Sequence, residues 1–246
     1  MQPQKEWFSE WFDSPYYHIL YKNRDMREAE YFLRNLVRRL SLQKEMKLID
    51  LACGKGRHSI FLNSLGYEVT GVDLAAQSIA EAAKSENDRL HFDVQDLRSL
   101  PYLNEFDVAL NLFTSFGYFD CDDTNKKVIA QVHKILKPEG IVVIDFMNVD
   151  VVLKGLVPHE TKVVEGISFD ITKRIEGGKI NKRIGFTDNN KHYSFNEEVQ
   201  VLTVDDFKAL LTEGGFELAQ VYGNYKLEAF NRDTSDRLIL IARKHA

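Results

Sequence analysis

The fold of this chain is decided by residues 48–58, which read Leu48-Ile49-Asp50-Leu51-Ala52-Cys53-Gly54-Lys55-Gly56-Arg57-His58. An apolar run typical of a buried strand leads here into a turn with two glycines and then into a predicted helix. Because glycine has no Cβ, Gly54 and Gly56 allow a left-handed turn and let a ligand approach the backbone closely. The stretch therefore predicts a strand, a turn and a helix that together form one side of a ligand site.

A second apolar run, residues 67–72, ends at Asp73, which follows Gly56 by 17 residues. An acid roughly 20 residues after such a turn accepts hydrogen bonds from the hydroxyls of a ribose. A dinucleotide-binding turn would have a third glycine where this chain has Ser59, so a bound pyrophosphate is disfavoured. The turn also lacks the G-x-x-x-x-G-K-[ST] pattern of a Walker loop. The two runs together predict a site for a nucleoside.

Four further motifs follow in order along the chain: Phe92-Asp93-Val94-Gln95-Asp96-Leu97, Phe106-Asp107-Val108-Ala109-Leu110-Asn111, Ser115-Phe116-Gly117-Tyr118-Phe119 and Leu136-Lys137-Pro138-Glu139-Gly140. With the glycine turn, they make the chain similar to the class I S-adenosylmethionine-dependent methyltransferases, in particular to small bacterial members with a D-L-A-C-G-x-G-R-H turn. The resemblance covers about residues 45–148 well and the rest more loosely. It implies that S-adenosyl-L-methionine is the cofactor.

The resemblance also implies which residues bind the cofactor, and these are Asp50, Ala52, Gly54, Gly56, Arg57, Asp73, Leu74, Asp96, Leu97, Asn111 and Leu112. By family position, Asp50 lies beside the methionine part, Asp73 binds the ribose and Asp96 accepts from the adenine amino group. Each acid also has a simpler interpretation. Asp50 and Asp96 could be solvated acids, and Asp73 could cap the following helix.

Methyl transfer requires little acid-base chemistry, because the sulfonium of the cofactor is already a good leaving group. Catalysis then consists mainly of aligning the nucleophile with the methyl carbon and excluding water. No catalytic residue can be named from the sequence with this chemistry alone. His18 in the aromatic N-terminus and Tyr118 in the loop after the fourth strand are the candidates for a base or a positioning group.

Composition narrows the class of protein. The chain has 246 residues, 44% of them hydrophobic, and a net charge of −5, which disfavours a nucleic acid as partner. Its two cysteines form no C-x-x-C pair, so neither a disulfide framework nor a metal site is predicted, and the cytoplasm is the expected compartment. No signal peptide or membrane-spanning run is evident. The sequence does not fix the oligomeric state, and a homodimer remains an alternative.

We expect an α/β fold: a Rossmann-like, seven-stranded, mostly parallel sheet with helices on both faces, plus an inserted antiparallel β subdomain and a helical N-terminal extension. The single domain, 1–246, divides into an N-terminal aromatic and helical cap (1–41), a cofactor-binding core (42–150), the antiparallel insertion (151–202) and the C-terminal part of the core sheet (203–246). The insertion is predicted from alternating apolar residues and from turns at Gly177-Gly178 and Asp188-Asn189-Asn190.

The predicted function is S-adenosylmethionine-dependent methyl transfer to a small-molecule acceptor by in-line displacement. The cap and the insertion are interpreted as the walls that exclude water and select the acceptor. Two alternatives stay open at this stage. One is a nicotinamide-dependent oxidoreductase, and the other is a non-catalytic protein that binds S-adenosylmethionine.

Overall fold

A computed structural model describes residues 7–22, 26–119 and 121–245 of the chain. The helices are α1 (Trp7–Trp11), α2 (Pro15–Leu20), α3 (Met26–Leu40), α4 (Arg57–Ser64), α5 (Ala76–Ala82), α6 (Asp122–Ile135), α7 (Val149–Lys154) and α8 (Val204–Glu213). The strands are β1 (Lys47–Leu51), β2 (Glu68–Asp73), β3 (Leu90–Val94), β4 (Phe106–Asn111), β5 (Leu136–Met147), β6 (His159–Val164), β7 (Ile167–Glu176), β8 (Lys179–Asp188), β9 (Lys191–Gln200), β10 (Phe216–Tyr222) and β11 (Arg237–Lys244). Residues 1–6 and 23–25, which belong to the predicted cap, and residues 120 and 246 lie outside this description.

The main sheet has seven strands in the order β10-β11-β5-β4-β1-β2-β3. Strand β1 pairs in parallel with β2 on one side and with β4 on the other. Strand β11 is antiparallel to both β5 and β10. A second sheet of four antiparallel strands follows β5 in the chain. The predicted fold class is therefore confirmed.

Helices cover both faces of the main sheet because its strands carry apolar side chains on both sides. On one face, Ile129 of α6 and Phe207 of α8 belong to a buried cluster that includes Ile49 of β1. On the other face, Leu36 of α3 and Phe61 of α4 belong to a second buried cluster. Burying one such side chain contributes about 1.5–3 kcal/mol. Among helices within the described ranges, none combines the length and the apolar character needed to cross a lipid bilayer.

The junction between α6 and β5 differs from the sequence expectation. Pro138 and Gly140 were expected to end the helix and to precede a strand at about 140–146, but α6 ends at Ile135 and β5 begins directly at Leu136. Leu136 is fully buried and pairs with Phe106 of β4, and the register then shifts before the regular pairing resumes. Burial of Leu136 in the sheet thus sets the start of the strand upstream of the proline.

The second sheet has the order β6-β7-β8-β9 and is built from three hairpins. Their two-residue turns are Glu165-Gly166, Gly177-Gly178 and Asn189-Asn190, and all six residues have positive φ. This is the backbone of the type I′ turn, whose twist matches that of the flanking strands. The sequence predicts the second and third of these turns, whereas the first has a glutamate at a left-handed position.

Residues 7–22, which we call the aromatic segment, pack on the second sheet. Trp11 has no solvent-exposed surface, and its ring centroid lies 4.6 Å from that of Phe195 on β9. The ring of Tyr16 contacts Phe186, and its hydroxyl donates to the carboxylate of Asp188 at 2.8 Å. The second sheet therefore serves as the platform that holds the aromatic segment in place.

Glu197 of β9 is the polar centre of this platform. Its carboxylate accepts from the indole Nε1 of Trp11 at 2.6 Å and from the hydroxyl of Tyr21 at 2.6 and 2.9 Å. The ammonium of Lys182 lies 3.1 Å from the same carboxylate. Because only 14% of either charged side chain is exposed, these charge-assisted bonds are shielded from water.

We predict that Glu197→Gln loosens the aromatic segment. An amide presents one acceptor oxygen instead of two and removes the negative charge beside Lys182, so the segment should lose about 2 kcal/mol of local stability. Hydrogen exchange of residues 7–22 measures this loss. Glu198→Gln is the matched control, because Glu198 is the next residue on the same strand and pairs instead with Lys179. Equal exchange in both variants would contradict the assignment.

Candidate cofactor and acceptor site

A cavity of about 310 Å³ lies where β1 to β4 end at their carboxyl termini. Strand β1 has β2 on one side and β4 on the other, and open α/β sheets bind ligands at this reversal of strand order. The floor residues that follow or end these strands are Ala52, Cys53, Gly54, Asp73, Leu74, Ala75, Gln95, Asp96, Leu97, Leu112, Phe113 and Ser115. The roof residues from the aromatic segment are Phe8, Phe12, Tyr17, His18 and Tyr21.

The two glycines of the turn differ in what surrounds the position of a Cβ atom. Gly54 has φ +55°, lines the cavity, and a Cβ added to it would meet no protein atom within 4 Å. Gly56 has φ +76°, but a Cβ there would lie 2.6 Å from the ring of Phe92. Gly54 therefore leaves open space beside the turn, and its contact with a cofactor stays a prediction. Gly56 lies outside the cavity lining, and its missing Cβ is needed for packing against Phe92.

Asp73 links the ends of the first two strands. One carboxylate oxygen accepts from the backbone amide of Gly54 at 2.7 Å, and the other accepts from the amide of Ala75 at 2.8 Å. Burial raises the pKa of Asp73, and these amide bonds oppose that shift. The carboxylate lines the cavity, and its remaining lone pairs suit ribose hydroxyls. Capping of α5 and a role toward a ribose are thus compatible.

Asp96 also lines the cavity, but it carries a partner that the sequence did not indicate. The guanidinium of Arg98 donates to both of its oxygens, at 2.9 Å from Nε and 2.6 Å from Nη2. Burial disfavours the charged form of Asp96, yet the bonds from Arg98 outweigh it and lower the pKa. Arg98 in turn lies over the ring of Phe119, 5.0 Å from its centroid. Asp96 is therefore a fixed, ionised acceptor at the end of β3.

Besides Gly56, two further predicted cofactor residues lie outside the cavity lining. Asp50 is 1% exposed, and its carboxylate accepts from the hydroxyl of Ser59 at 2.6 Å. Burial raises its pKa to about 7. Asn111 is buried as well, and its amide nitrogen donates to the carbonyl of Leu51 at 3.2 Å. Direct cofactor contacts of these two residues stay predictions, and in the structure their side chains join α4 to β1 and β4 to β1.

The remaining predicted cofactor residues reach the cavity: Ala52, Arg57, Leu74, Leu97 and Leu112. Arg57 lies over the ring of Phe113, 5.1 Å from its centroid, and contacts the ring nitrogen of His58 at 3.2 Å. Burial, aided by the charge of Arg57, lowers the pKa of His58 to about 3. His58 is therefore a neutral partner of Arg57 at this end of the cavity.

Both catalytic candidates, His18 and Tyr118, line the cavity. Burial, aided by the charge of Lys55, lowers the pKa of His18 to about 4. His18 is thus neutral near pH 7 and a weak base. The hydroxyl of Tyr118 donates to the backbone carbonyl of Thr114, and its ring packs against that of Phe12 at 5.2 Å. These contacts give Tyr118 a packing role, and a catalytic role for either residue stays a prediction.

Sequence reasoning missed several cavity residues, namely Gln95, Lys55, Phe113, Ser115 and Phe119 as cofactor or acceptor contacts. Gln95 and Lys55 adjoin predicted site residues, so the strand-end argument could have included them. Phe113 lies just after β4, so the same argument applies to it, although nothing local indicates its φ of +66°. The floor fits a nucleoside with an amino-acid tail: a turn open at Gly54, two acids at strand ends, and Leu74, which is 38% exposed and suits a base face.

The chain is similar to known methyltransferases. Residues 48–140, which form much of the floor, match the model of a family described as a methyltransferase domain. The chain is 26% identical over 228 residues to the glycine/sarcosine N-methyltransferase of Aphanothece halophytica, covering 90% of this chain and 83% of that protein.

Two solved structures share the fold. An S-adenosylmethionine-dependent methyltransferase from Clostridium acetobutylicum aligns with a TM-score of 0.80 at 18% identity, covering 94% of this chain and 96% of that one. The sugar N-methyltransferase KedS8 from Streptoalloteichus sp. aligns with a TM-score of 0.73 at 19% identity, covering 94% and 93% of the two chains.

We predict that Gly54→Ala weakens cofactor binding while the protein stays folded. Ala52 already takes φ +59° in the same turn, so an alanine at 54 should fold at a cost of about 1–2 kcal/mol. Its methyl group would occupy ligand space and lower the affinity for S-adenosylhomocysteine about tenfold or more. Calorimetry measures the affinity and thermal unfolding the stability.

Gly56→Ala is the matched comparison in the same turn. Its Cβ would press on the ring of Phe92, so the variant should lose about 1–3 kcal/mol of stability through overpacking. Stronger loss of affinity in Gly56→Ala than in Gly54→Ala, at equal stability, would reverse the roles assigned to the two glycines.

We predict that His58 contributes to acid destabilisation. Its folded pKa of about 3 lies below the ordinary 6.5, so the unfolded chain binds a proton between these values that the folded chain does not. Stability is therefore lost as the pH falls from about 6.5 toward 3, with a limiting slope of about 1.4 kcal/mol per pH unit. His58→Gln should flatten the fall in unfolding free energy across this window, measured by urea titration. His91→Gln, at an exposed position, should leave the slope unchanged, and parallel curves for wild type and His58→Gln would contradict the prediction.

Proposed function

We propose that this chain, a class I S-adenosylmethionine-dependent methyltransferase, methylates the amino nitrogen of a small molecule that carries a carboxylate, such as a small amino acid. Neither a nicotinamide-dependent oxidoreductase nor a non-catalytic binding protein is favoured by the comparisons. Nitrogen as the acceptor atom is supported by a relative named as a glycine/sarcosine N-methyltransferase and by a structure named as a sugar N-methyltransferase.

The residues that would hold the cofactor follow from the floor of the cavity. Asp73 would accept from the ribose, Leu74 and Leu97 would contact the adenine faces, and Asp96 or the neighbouring Gln95 would meet its polar edge. The open side of Gly54 would leave room for the methionine part. When bound, the cofactor supplies an electrophilic methyl group on a sulfonium sulfur.

The roof supplies the exclusion of water that an in-line displacement needs. Aromatic rings from the aromatic segment meet aromatic rings from the loop after β4. The ring pairs are Trp7 with Tyr118 at 5.5 Å, Phe8 with Phe119 at 5.7 Å and Phe12 with Tyr118 at 5.2 Å. These contacts close one side of the cavity and support a small acceptor.

The position of His18 and Lys55 in the cavity lining carries the proposal, because a cationic nitrogen bound there would lie near both residues. Burial and the charge of Lys55 disfavour the protonated form of His18. An amine bound beside His18 meets the same two effects, so its pKa also falls and its neutral, nucleophilic form gains population. A neutral His18 can then accept a hydrogen bond from the amine and orient it. The protonated amine loses its proton to solvent before the methyl group is transferred, so no strong base is required.

Lys55 supplies the selection for a carboxylate. It lies in the glycine turn, its side chain is exposed, and it lines the cavity on the side of His18. Its ammonium is placed to pair with an anionic group of the acceptor. An amino acid, which carries an amine and a carboxylate a few ångströms apart, would engage His18 and Lys55 together.

The test is a methyl-transfer assay with S-adenosylmethionine and a panel of glycine, sarcosine and glucosamine. We expect turnover with the amino acids, and we expect Lys55→Gln to raise their KM about tenfold while the affinity for S-adenosylhomocysteine changes less than about twofold. Lys84→Gln is the control, because Lys84 pairs with Glu81 and lies outside the cavity lining. Turnover with glucosamine alone would overturn the carboxylate assignment, and no turnover with any amine would overturn nitrogen as the acceptor.

A further inference from the structure

The loop after β4 holds an unusual backbone at the floor of the cavity. Phe113 and Thr114 both take left-handed conformations, with φ +66° and +62°, although neither is a glycine. Such a conformation is disfavoured for residues with bulky or β-branched side chains and persists only where neighbouring groups impose it. Phe113 lines the cavity. Some part of the structure must therefore hold this loop in place.

Asp145 of β5 is the group that holds it. The residue is 1% exposed, and its carboxylate accepts from the backbone amide of Phe113 at 2.9 Å. The backbone carbonyl of Asp145 accepts from the amide of Thr114 at 2.8 Å. Both left-handed residues are thus tied to one residue of the neighbouring strand.

Asp145 is itself fixed by two donors from the C-terminal part of the chain. Arg237 of β11 donates from Nε to one carboxylate oxygen at 2.8 Å, and the hydroxyl of Tyr225 donates to the other at 3.1 Å. Arg237 also donates to the hydroxyl of Thr114 at 3.1 Å. Burial and the charge of Asp145 raise the pKa of Tyr225, so its hydroxyl keeps the proton that it donates. The buried carboxylate therefore has a full set of partners.

The same network reaches the cavity through the ring of Phe113. The guanidinium of Arg237 lies 5.7 Å from the ring centroid, and that of Arg57 lies 5.1 Å from it. Arg57 lines the cavity at the start of α4, next to the open side of Gly54. Because Phe113 contacts both guanidiniums, a shift of the loop would displace Arg57 as well.

We propose that Asp145 and Arg237 are positioning residues for the methionine end of the cofactor. They act through Phe113, whose strained backbone they hold, and through Arg57, which Phe113 contacts. The proposal rests on the proposed function, since it takes S-adenosylmethionine as the ligand of the cavity. The adenosine end is held at β2 and β3 by residues that the network does not touch, so the two ends of the cofactor should respond differently to its loss.

The test uses two ligands that differ only in the amino-acid tail. S-adenosylhomocysteine has the tail, and 5′-methylthioadenosine lacks it. In Asp145→Asn we expect the affinity for S-adenosylhomocysteine to fall about tenfold or more and that for 5′-methylthioadenosine to change less than about twofold, both measured by calorimetry. Tyr225→Phe removes one donor and keeps the ring, so it should show the same selectivity with a smaller loss of about threefold. This variant also decides the question if Asp145→Asn does not fold.

Asp107→Asn is the matched control. Asp107 lies on β4 at the opposite end of the strand, accepts from the backbone amide of Lys47 at 2.7 Å and pairs with Lys137 at 2.8 Å. It should lower stability without changing the ratio of the two affinities. Equal losses for both ligands in Asp145→Asn, or no loss for either, would overturn the positioning role. A wild-type protein that binds neither ligand would overturn the proposed function itself, and the positioning role with it.

Discussion

The carboxylate of Asp73 is the interaction on which the cavity depends. It binds the amide of Gly54 after β1 and the amide of Ala75 after β2 at the same time. These bonds fix the glycine turn relative to the neighbouring strand, and they turn the carboxylate toward the space between the two. The pairing of β1 with β2 over residues 47–51 and 68–72 brings the two strand ends close enough for this bridge. The pairing of β1 with β2 therefore sets the positions of Gly54 and Asp73 in the cavity.

Much of the fold could be predicted from the sequence because it rests on local patterns. Apolar runs indicated the buried strands, and parallel strands bring their carboxyl ends to one edge, which placed Asp73 and Asp96 at the cavity. Asp50, near the end of β1, is buried and does not line the cavity, because its side chain packs toward α4. Leu48 faces the cluster that contains α4, and Asp50, two residues later, faces the same way and meets Ser59.

The features that escaped prediction depend on contacts between distant parts of the chain. Nothing near Phe113 and Thr114 indicates a left-handed backbone, since the carboxylate that imposes it comes from β5. Glu197 is an ordinary acid in an alternating strand, and only the packing of Trp11, 186 residues away in sequence, gives it its role. The pKa of His18 depends on burial and on Lys55, which local sequence does not reveal. Such contacts follow from the tertiary structure and not from the spacing of residues.

The loop after β4 connects the two halves of the site. From below, Asp145 and Arg237 hold Phe113 and Thr114. From above, the aromatic segment rests on Tyr118 at the far end of the same loop, and Tyr118 donates back to the carbonyl of Thr114. A change in the loop on cofactor binding would therefore alter the surface on which the roof lies. The loop after β4 is therefore in contact with both the floor and the roof of the cavity.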